Sequence, residues 1–305
     1  MTEERLESVK KQIALFVSEM GDENSEKLFA TIEHGKLLRS RLILKICNDE
    51  RAIKLCAVIE LIHLASLLHD DVIDSSALRR KKPTVNALFG DRSAVMFGDI
   101  LYSKAFYELT KFDPFIAGTV ANAVNVLSIG ELEDVTMSEI FNTDKEKYLS
   151  MLYKKTGVLI EASCLSAAFL AKLEYETIGK FGRSLGIAFQ VIDDILDVTA
   201  DDATLGKNAF GDFREGKSTL PYIYAYEAST DDEKTKLKSL FRQEPTEADK
   251  LWLKSLFEKY GIIDKCKLEA KNITFDGINA IKNINDNNLS TSLIDIAKSQ
   301  IDRNF

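Results

Sequence analysis

The sequence predicts an all-α protein, and three observations lead to that prediction. Only four prolines and fifteen glycines occur among 305 residues, so few residues break helices. Apolar residues recur at the spacing of a helix along most of the chain, and no alternating run typical of strands occurs. No stretch rich in proline, glycine and serine divides the chain. We therefore expect a single domain over residues 1–305 with roughly ten or more helices.

The predicted helices begin and end at residues that typically cap or break helices. Gly21-Asp22-Glu23-Asn24 ends the first helix, and Asn24 or Ser25 is expected to cap the second. Pro114 suits the first turn of a helix, and Thr143-Asp144-Lys145-Glu146 resembles a capping box that opens another. The longer predicted helices cover residues 36–47, 51–74, 91–109, 114–141, 145–172 and 176–199, followed by a Gly/Lys/Asp loop over 204–218 and a more polar helical region from Leu220.

Composition and charge exclude several classes of function. The net charge of −8 and the scattered basic residues argue against nucleic-acid binding. The four cysteines form no CxxC pair, so we expect reduced packing residues of a cytoplasmic protein. The charged N-terminus is unlike a signal peptide. The most apolar stretch, residues 52–68, contains Lys54, Glu60 and His63, which suits a buried helix better than a membrane span. Any contact with a membrane would therefore be peripheral.

A first acidic motif, Asp70-Asp71-Val72-Ile73-Asp74, ends the most apolar helix and is followed by Arg79-Arg80. Asp70 and Asp74 share a helix face, where two carboxylates repel each other unless a cation lies between them. Oxygen ligands without cysteine or histidine suit Mg²⁺, and the arginines suit a phosphate bridged to that metal. Taken alone, the motif is equally consistent with a solvated acidic helix end.

A second motif with the same spacing, Asp193-Asp194-Ile195-Leu196-Asp197, interrupts an apolar helix. Acidic residues are seldom buried without a partner. Two such motifs on two apolar helices predict one cavity with facing carboxylate clusters. That arrangement suits a diphosphate held through several Mg²⁺ ions.

Because it carries both motifs, the chain resembles the trans-polyprenyl diphosphate synthases, in particular the medium- and long-chain members of octaprenyl type. The motifs extend from Gly35 to Pro221, and the resemblance is weaker beyond them. Phe189-Gln190 precedes the second aspartate motif, and Lys155-Thr156 matches the KT pair of the family. The stretch from Gly206-Lys207 through Lys217 to Pro221 matches its GKxxxxDxxEGKxTLP loop.

One family signature, GGKRxRP, is altered here to His34-Gly35-Lys36-Leu37-Leu38-Arg39-Ser40. Lys36 and Arg39 remain, and we expect them on one face near a helix N-terminus, which favours anions. The resemblance implies that isopentenyl diphosphate is held by Lys36, Arg39, His63 and Arg80. His63 lies two helical turns before Asp70 on the same face, and a packed core histidine is the alternative.

The resemblance also implies the isoprenoid synthase fold, with a deep central cavity, and a head-to-tail condensation of isopentenyl diphosphate with an allylic diphosphate. About three Mg²⁺ ions per active site, on Asp70, Asp74 and Asp193, would neutralise the diphosphate leaving group. Asp71, Asp194 and Asp197 would bind the metals or orient the residues that do. The diphosphate would be surrounded by Arg79, Lys155, Lys207 and Lys217, and the carbocation would face Thr156, Gln190 and a backbone carbonyl near Lys155. The departing diphosphate is the expected base.

Product length is expected to depend on the helix that leads to Asp70. Ala65 and Ser66 precede the motif by about one turn, and the motif carries no insertion. An aromatic side chain there would fill about 150–250 Å² of surface, whereas small residues leave the tunnel open to about C30 to C40. The floor is expected deeper, near Ile62, Ile59 or the helix 114–141. The resemblance then implies an all-trans product, as in the members that make quinone side chains, started from farnesyl or geranylgeranyl diphosphate.

Three alternatives remain beside this interpretation: a short-chain prenyl diphosphate synthase, a terpene cyclase, and a partner subunit of a two-component prenyl synthase. A cyclase is expected to carry a different second metal motif, and a partner subunit to have lost aspartates. The family forms homodimers, and the apolar surface of Phe112–Leu127 suggests the same here. Membrane contact is expected to be at most peripheral, for product release.

Overall fold

The computed structural model describes residues 2–199, 210–282, 284 and 286–301. Within these residues the chain is mainly helical, and its only strands form a hairpin of two residues each, β1 (Leu78–Arg79) and β2 (Lys82–Pro83). The all-α prediction is confirmed. The helices up to Met137 are α1 (Thr2–Ser18), α2 (Glu23–Phe29), α3 (Leu38–Ile46), α4 (Arg51–Ile73), α5 (Val85–Phe89), α6 (Asp91–Leu109) and α7 (Pro114–Met137).

The predicted helix over 145–172 is divided by one turn of π-helix, Tyr153–Gly157. A π-helical turn widens the backbone locally and is frequent at functional sites. The predicted helix over 114–141 ends at Met137. The remaining helices are α8 (Lys145–Leu152), α9 (Val158–Leu170), α10 (Tyr175–Thr199), α11 (Gly211–Arg214), α12 (Leu220–Ala228), α13 (Asp231–Leu240), α14 (Glu247–Lys259), α15 (Ile262–Ile281) and α16 (Asn287–Ile301).

Side-chain caps determine where several helices begin. The cap of α2 is Asp22, whose carboxylate accepts a hydrogen bond from the backbone N–H of Ser25 at 2.8 Å, so the predicted caps were wrong. The start of α8 is confirmed, but its cap is Asp144, which accepts from the N–H groups of Glu146 and Lys147. Aspartate is a strong N-cap because its carboxylate satisfies otherwise unpaired N–H groups at the positive end of the helix dipole.

The chain divides into two compact units. The first comprises Met1–Val124, Leu159–Gly179 and Ile284–Leu293, and the second comprises Asn125–Val158, Lys180–Asn283 and Ile294–Phe305. The single domain over residues 1–305 stays a prediction.

The core of the first unit is built on α4, which packs against α1, α3 and α6. Helices α4 and α7 are both long and apolar enough to cross a membrane by length and composition, a test that core helices of globular proteins also pass. The most apolar window of α4 is 72% buried inside the protein, as expected for a core helix, and that of α7 is 39% buried. The four cysteines are buried and free, as predicted.

The core of the second unit surrounds the C-terminal half of α10. Val191, Ile192 and Ile195 are buried there, and the Phe213 and Tyr222 rings stack with centroids 3.9 Å apart. This apolar packing fixes the helix on which the second aspartate motif lies.

Candidate active site

The first aspartate motif lies at the C-terminal end of α4, where its carboxylates have different surroundings. Asp70 and Asp74 are partly exposed, one helical turn apart. Asp71 is 5% exposed, and its Oδ1 accepts a hydrogen bond from Arg79 Nε at 2.9 Å and lies 2.8 Å from Nη2. Burial raises the pKa of Asp71, and the Arg79 guanidinium opposes that rise. Because a helix C-terminus is the negative end of its dipole, a cation would stabilise Asp70 and Asp74.

Three arginines and a histidine form a cationic cluster beside this motif: Arg39, His63, Arg79 and Arg80. Burial, followed by the charges of the three arginines, lowers the pKa of His63 well below its ordinary value. The imidazole is therefore neutral and can still donate a hydrogen bond. Three guanidiniums around a neutral donor favour an anion with several oxygens.

The hairpin holds Arg80 against the segment before α3. Arg80 lies in the β1–β2 turn with φ 53°, and its Nη1 donates to the backbone oxygen of Glu33 at 3.0 Å. A Cβ added at Gly35 would lie 2.4 Å from Arg80 Nη2, so any larger residue would displace the guanidinium from this position. Lys36 is exposed and precedes the first residue of α3, so the predicted common helix face with Arg39 is wrong.

A buried carboxyl, Glu60, lies behind this cluster. It is 4% exposed, and Ser40 Oγ donates to its Oε1 at 2.7 Å. Burial raises the pKa of Glu60, while Ser40 and the charge of Arg39 lower it. The buried Nε of Arg39 has no hydrogen-bond partner. An unpartnered buried donor is costly, and an anionic ligand would relieve that cost.

The second aspartate motif, on α10, repeats the pattern of the first. Asp193 is partly exposed, whereas Asp194 and Asp197 are 3% and 2% exposed. Asp197 Oδ2 accepts a hydrogen bond from the backbone N–H of Asp212 at 3.3 Å, which ties the start of α11 to α10. In each motif the middle aspartate is buried and bonded to protein groups, and the first aspartate is partly exposed.

Close backbone contacts position Lys155 and Thr156 on the π-helical turn. A Cβ added at Gly130 of α7 would lie 2.5 Å from the backbone N of Lys155. A Cβ added at Gly186 of α10 would lie 2.6 Å from the Cα of Gly157. Glycines at these two positions therefore let α7 and α10 contact the turn directly.

Two carboxylates of α7 hold the ammonium of Lys155. Its Nζ lies 2.7 Å from Asp134 Oδ2 and 2.9 Å from Glu131 Oε2, and these residues are 7% and 8% exposed. The neighbouring Lys154 pairs with Glu133. The three acidic residues of one helical segment therefore fix the position of both lysines.

Thr156, Gln190, Asp194 and Tyr148 form a chain of hydrogen bonds within the second unit. Burial raises the pKa of Asp194 well above its ordinary value, and the charges of Asp212 and Asp193 raise it further. A cavity of about 100 Å³ lies beside this chain. Its polar lining includes Asp134, Tyr148, Lys155, Gln190, Asp194, Asp212 and Lys217.

The remaining predicted positions are distributed as follows. Lys217 lines the same cavity, and its Nζ donates to Glu215 Oε2 at 2.9 Å. Lys207 lies outside the described residues. The predicted chain-length residues are all buried: Ile62 and Ala65 are 0% exposed, and Ser66 is 7% exposed.

The carboxylates suit a metal that takes only part of its coordination shell from protein. In the described part of the chain, no three Asp, Glu, His or Cys side chains are placed to hold an ion by themselves. Mg²⁺ usually takes one or two carboxylates, with water and substrate phosphates as its other ligands. The partly exposed Asp70, Asp74 and Asp193 fit that requirement.

Sequence reasoning assigned no role to four residues of this region: Glu60, Glu131, Asp134 and Tyr148. The acidic residues carried the same signal that identified the second motif, namely charge within an apolar helix. Tyr148 carried no such signal, because its partner Asp194 is 46 residues away.

Comparison with known proteins places the chain among prenyl synthases. A family model described as polyprenyl synthetase matches residues 23–259. An octaprenyl diphosphate synthase from Haemophilus influenzae is 32% identical over 255 residues, covering 82% of this chain and 78% of the relative. A geranylgeranyl diphosphate synthase from Sulfolobus acidocaldarius is 35% identical over 251 residues, covering 75% and 74%.

Solved structures agree with the sequence comparison. The octaprenyl pyrophosphate synthase of Helicobacter pylori matches with a TM-score of 0.94 and 43% identity, covering 99% of this chain and 100% of that one. A polyprenyl synthase from Caulobacter crescentus, complexed with calcium and isoprenyl diphosphate, matches with a TM-score of 0.89 and 30% identity, covering 99% and 95%. The expected isoprenoid synthase fold is confirmed. The chain belongs to the polyprenyl synthetase family, whose members are trans-prenyltransferases.

Proposed function

We propose that the protein catalyses the Mg²⁺-dependent, head-to-tail condensation of isopentenyl diphosphate with an allylic diphosphate, giving a medium-to-long all-trans polyprenyl diphosphate. The observation that carries this proposal is that the two aspartate motifs of this family member share the same arrangement. Each DDxxD has a buried middle aspartate bonded to protein groups and a partly exposed first aspartate. Such a pair of motifs suits a diphosphate that brings its own oxygens to the metals.

The allylic diphosphate would bind through Asp70, Asp74 and Asp193, with about three Mg²⁺ ions per active site. Bound Mg²⁺ would neutralise the charge that develops on the leaving diphosphate. Asp71 would orient Arg79, to which it is bonded at 2.9 Å. Lys155 and Lys217, which line one cavity, would add positive charge, and we propose the same role for Lys207.

Isopentenyl diphosphate would bind at Lys36, Arg39, His63 and Arg80. Two observations support this assignment: burial together with three arginine charges lowers the pKa of His63, and the buried Nε of Arg39 has no hydrogen-bond partner. A diphosphate oxygen would accept that N–H, and neutral His63 would donate a further hydrogen bond. These contacts would hold the nucleophilic alkene in a fixed orientation before the allylic bond breaks.

The carbocation would be stabilised by oxygen dipoles that are not nucleophilic. Thr156 Oγ1 and Gln190 Oε1 are 3.1 Å apart, on two elements that contact each other through Gly157 and Gly186. With a backbone carbonyl near Lys155, they would present partial negative charge to the cation. The departing diphosphate would take the final proton, so no side-chain base is required.

We propose a product of about C30 to C40, started from farnesyl or geranylgeranyl diphosphate, with Ala65 and Ser66 leaving the tunnel open and Ile62 nearer its floor. The octaprenyl names of two relatives support a product of this length, which we propose is a precursor of quinone side chains. The geranylgeranyl relative keeps a short-chain product as the alternative.

We also propose a homodimer. The predicted exposed apolar surface over 112–127 is wrong, because Ile116, Val120 and Leu127 there are buried within the chain. The exposed large apolar side chains of α7 lie further along the helix: Ile129, Leu132 and Val135 are 44%, 67% and 40% exposed. An exposed apolar helix face favours association. Light scattering at micromolar concentration should give twice the chain mass, and a monomer mass would refute the proposal.

We further propose a cytoplasmic enzyme that contacts membranes at most peripherally, for product release. The buried, free cysteines support this proposal. Fractionation should leave the enzyme in the soluble fraction, whereas recovery with membranes after a high-salt wash would contradict it.

The reaction is tested with purified protein, farnesyl diphosphate and Mg²⁺, with and without isopentenyl diphosphate. A synthase incorporates labelled isopentenyl diphosphate into a longer diphosphate and consumes little farnesyl diphosphate alone. Release of diphosphate and a hydrocarbon from farnesyl diphosphate alone would indicate a terpene cyclase. Activity only after addition of a second protein would indicate a partner subunit.

A further inference from the structure

The hydrogen-bond chain beside the second motif begins at Tyr148 of α8, a residue with no assigned role. Its ring is 1% exposed, and its hydroxyl donates to Asp194 Oδ2 at 2.6 Å. Gln190 Nε2 donates to Asp194 Oδ1 at 2.9 Å. Thr156 Oγ1 donates to Gln190 Oε1 at 3.1 Å. One phenol is thus connected to both side chains that would face the carbocation.

The order of donors along this chain determines how the Gln190 amide is turned. Wherever the proton shared by Tyr148 and Asp194 lies, their bond engages Oδ2 and leaves Oδ1 as an acceptor. The Gln190 NH₂ group must therefore face Asp194, and its oxygen must face Thr156. The Thr156 hydrogen is then directed at that oxygen, which leaves the other lone pairs of Thr156 and Gln190 for a cation.

We propose that Tyr148 is a positioning residue for the condensation. By holding Asp194, it fixes the Gln190 amide and the Thr156 hydroxyl in the orientation that stabilises the carbocation. This inference rests on the proposed function. Tyr148 acts through other residues.

Removal of the phenolic oxygen has a definite structural consequence. Asp194 Oδ2 would be buried without a donor, which is unfavourable. Asp194 lines the same cavity as the ammonium groups of Lys155 and Lys217, so its carboxylate would turn toward them. Gln190 would lose its acceptor, and its amide orientation would no longer be fixed.

Tyr148→Phe tests the proposal, and Tyr224→Phe is its matched control. Tyr224 is also buried, and its hydroxyl donates to a carboxylate, Glu269 Oε2, at 3.1 Å, outside the Thr156–Gln190 chain. We expect Tyr148→Phe to lower kcat about tenfold, with KM for isopentenyl diphosphate and the half-maximal Mg²⁺ concentration unchanged. Tyr224→Phe should keep the wild-type kcat. Equal kcat values for the two variants at a temperature where both are folded would overturn the proposal.

A double-mutant cycle with Thr156→Val separates positioning from a general loss of stability. Because only the Gln190 contribution is then left for Tyr148 to orient, Tyr148→Phe should lower kcat by clearly less than tenfold in the Thr156→Val background. Additive losses in kcat would contradict the connection.

Asp194→Asn covers the case in which Tyr148→Phe does not fold. The new carboxamide can still accept a hydrogen bond from Tyr148 but turns an N–H toward Gln190, so kcat should fall with no change in the half-maximal Mg²⁺ concentration. A tenfold rise in that concentration would make Asp194 a metal ligand and end the positioning argument.

A crystal structure of Tyr148→Phe provides a readout independent of activity. The proposal expects the Asp194 carboxylate to leave Gln190, and an unchanged Thr156–Gln190–Asp194 arrangement would refute it. If the wild type made no condensation product, the proposed function would fail, and this structure would still decide whether Tyr148 holds the chain.

Discussion

Alanine should have opposite effects on stability at Gly118 and Gly130, although both glycines lie in α7. A glycine inside a helix costs about 0.5–1 kcal/mol relative to alanine. A Cβ at Gly118 meets no atom within 4 Å, so Gly118→Ala should gain this amount. A Cβ at Gly130 would lie 2.5 Å from the backbone N of Lys155 and 2.7 Å from the carbonyl carbon of Lys154. Because backbone atoms cannot rotate away, overpacking of about 1–3 kcal/mol should outweigh this gain and make Gly130→Ala a net loss of up to about 2.5 kcal/mol.

The same contact makes Gly130→Ala a test of the site. Displacement of the π-helical turn moves Lys155 and Thr156 together, and a shift of about 1 Å can cost about a hundredfold in rate. Urea unfolding followed by circular dichroism measures the stability change, and incorporation of labelled isopentenyl diphosphate measures kcat. If Gly130→Ala matched Gly118→Ala in stability and kept its kcat, the contact between α7 and the turn would not position Lys155.

Three further predictions concern the aspartates, the isopentenyl diphosphate site and pH. Asp70→Asn and Asp193→Asn should each lower kcat by about a thousandfold or more with Mg²⁺ present, because the leaving-group charge is then uncompensated. Gly35→Ala should raise KM for isopentenyl diphosphate about tenfold with little change in stability, since only the flexible end of Arg80 must move. The lowered pKa of His63 means that the unfolded chain binds its proton more readily, so stability is retained above about pH 6.5 and falls as the pH drops below it. His63→Gln should reduce that acid sensitivity in urea unfolding.

Each of these predictions has its own control or contrary outcome. Asp232→Asn removes an exposed charge in the first turn of α13 and should leave kcat unchanged. For Gly35→Ala, an unchanged KM would show that Arg80 does not contact isopentenyl diphosphate. If His63→Gln unfolded with the same pH dependence as the wild type, His63 would not carry the acid sensitivity.

Much of the fold was predictable because it depends on local signals. The spacing of apolar residues identified α6 with its correct bounds and placed α4 and α10 within one residue at each end. Short elements were not predicted: α5 has five residues and each strand of the hairpin has two, too few for a periodic pattern. The π-helical turn was also missed, and the backbone contacts that it makes, with Gly130 and Gly186, are with residues distant in the sequence.

The predictable part of the candidate site consists of residues that lie in short sequence motifs. The two DDxxD motifs were recognisable as charge in apolar helices, and Arg79 followed the first at a short distance. The residues that hold these groups in place were not predictable in the same way. Glu131 and Asp134 bond to Lys155, which is more than twenty residues away in the sequence, and Tyr148 bonds to Asp194, which is 46 residues away. Such pairs depend on helix packing, which spacing alone does not define.

The proposed reaction is tested most directly by mass analysis of the products formed from farnesyl diphosphate, isopentenyl diphosphate and Mg²⁺. We predict an all-trans polyprenyl diphosphate of about C30 to C40 from the wild type. We predict a shorter product from Ala65→Phe, with the first condensation intact. A wild-type product no longer than geranylgeranyl diphosphate would contradict the open tunnel, and no condensation with Mg²⁺ present would contradict the proposed reaction itself.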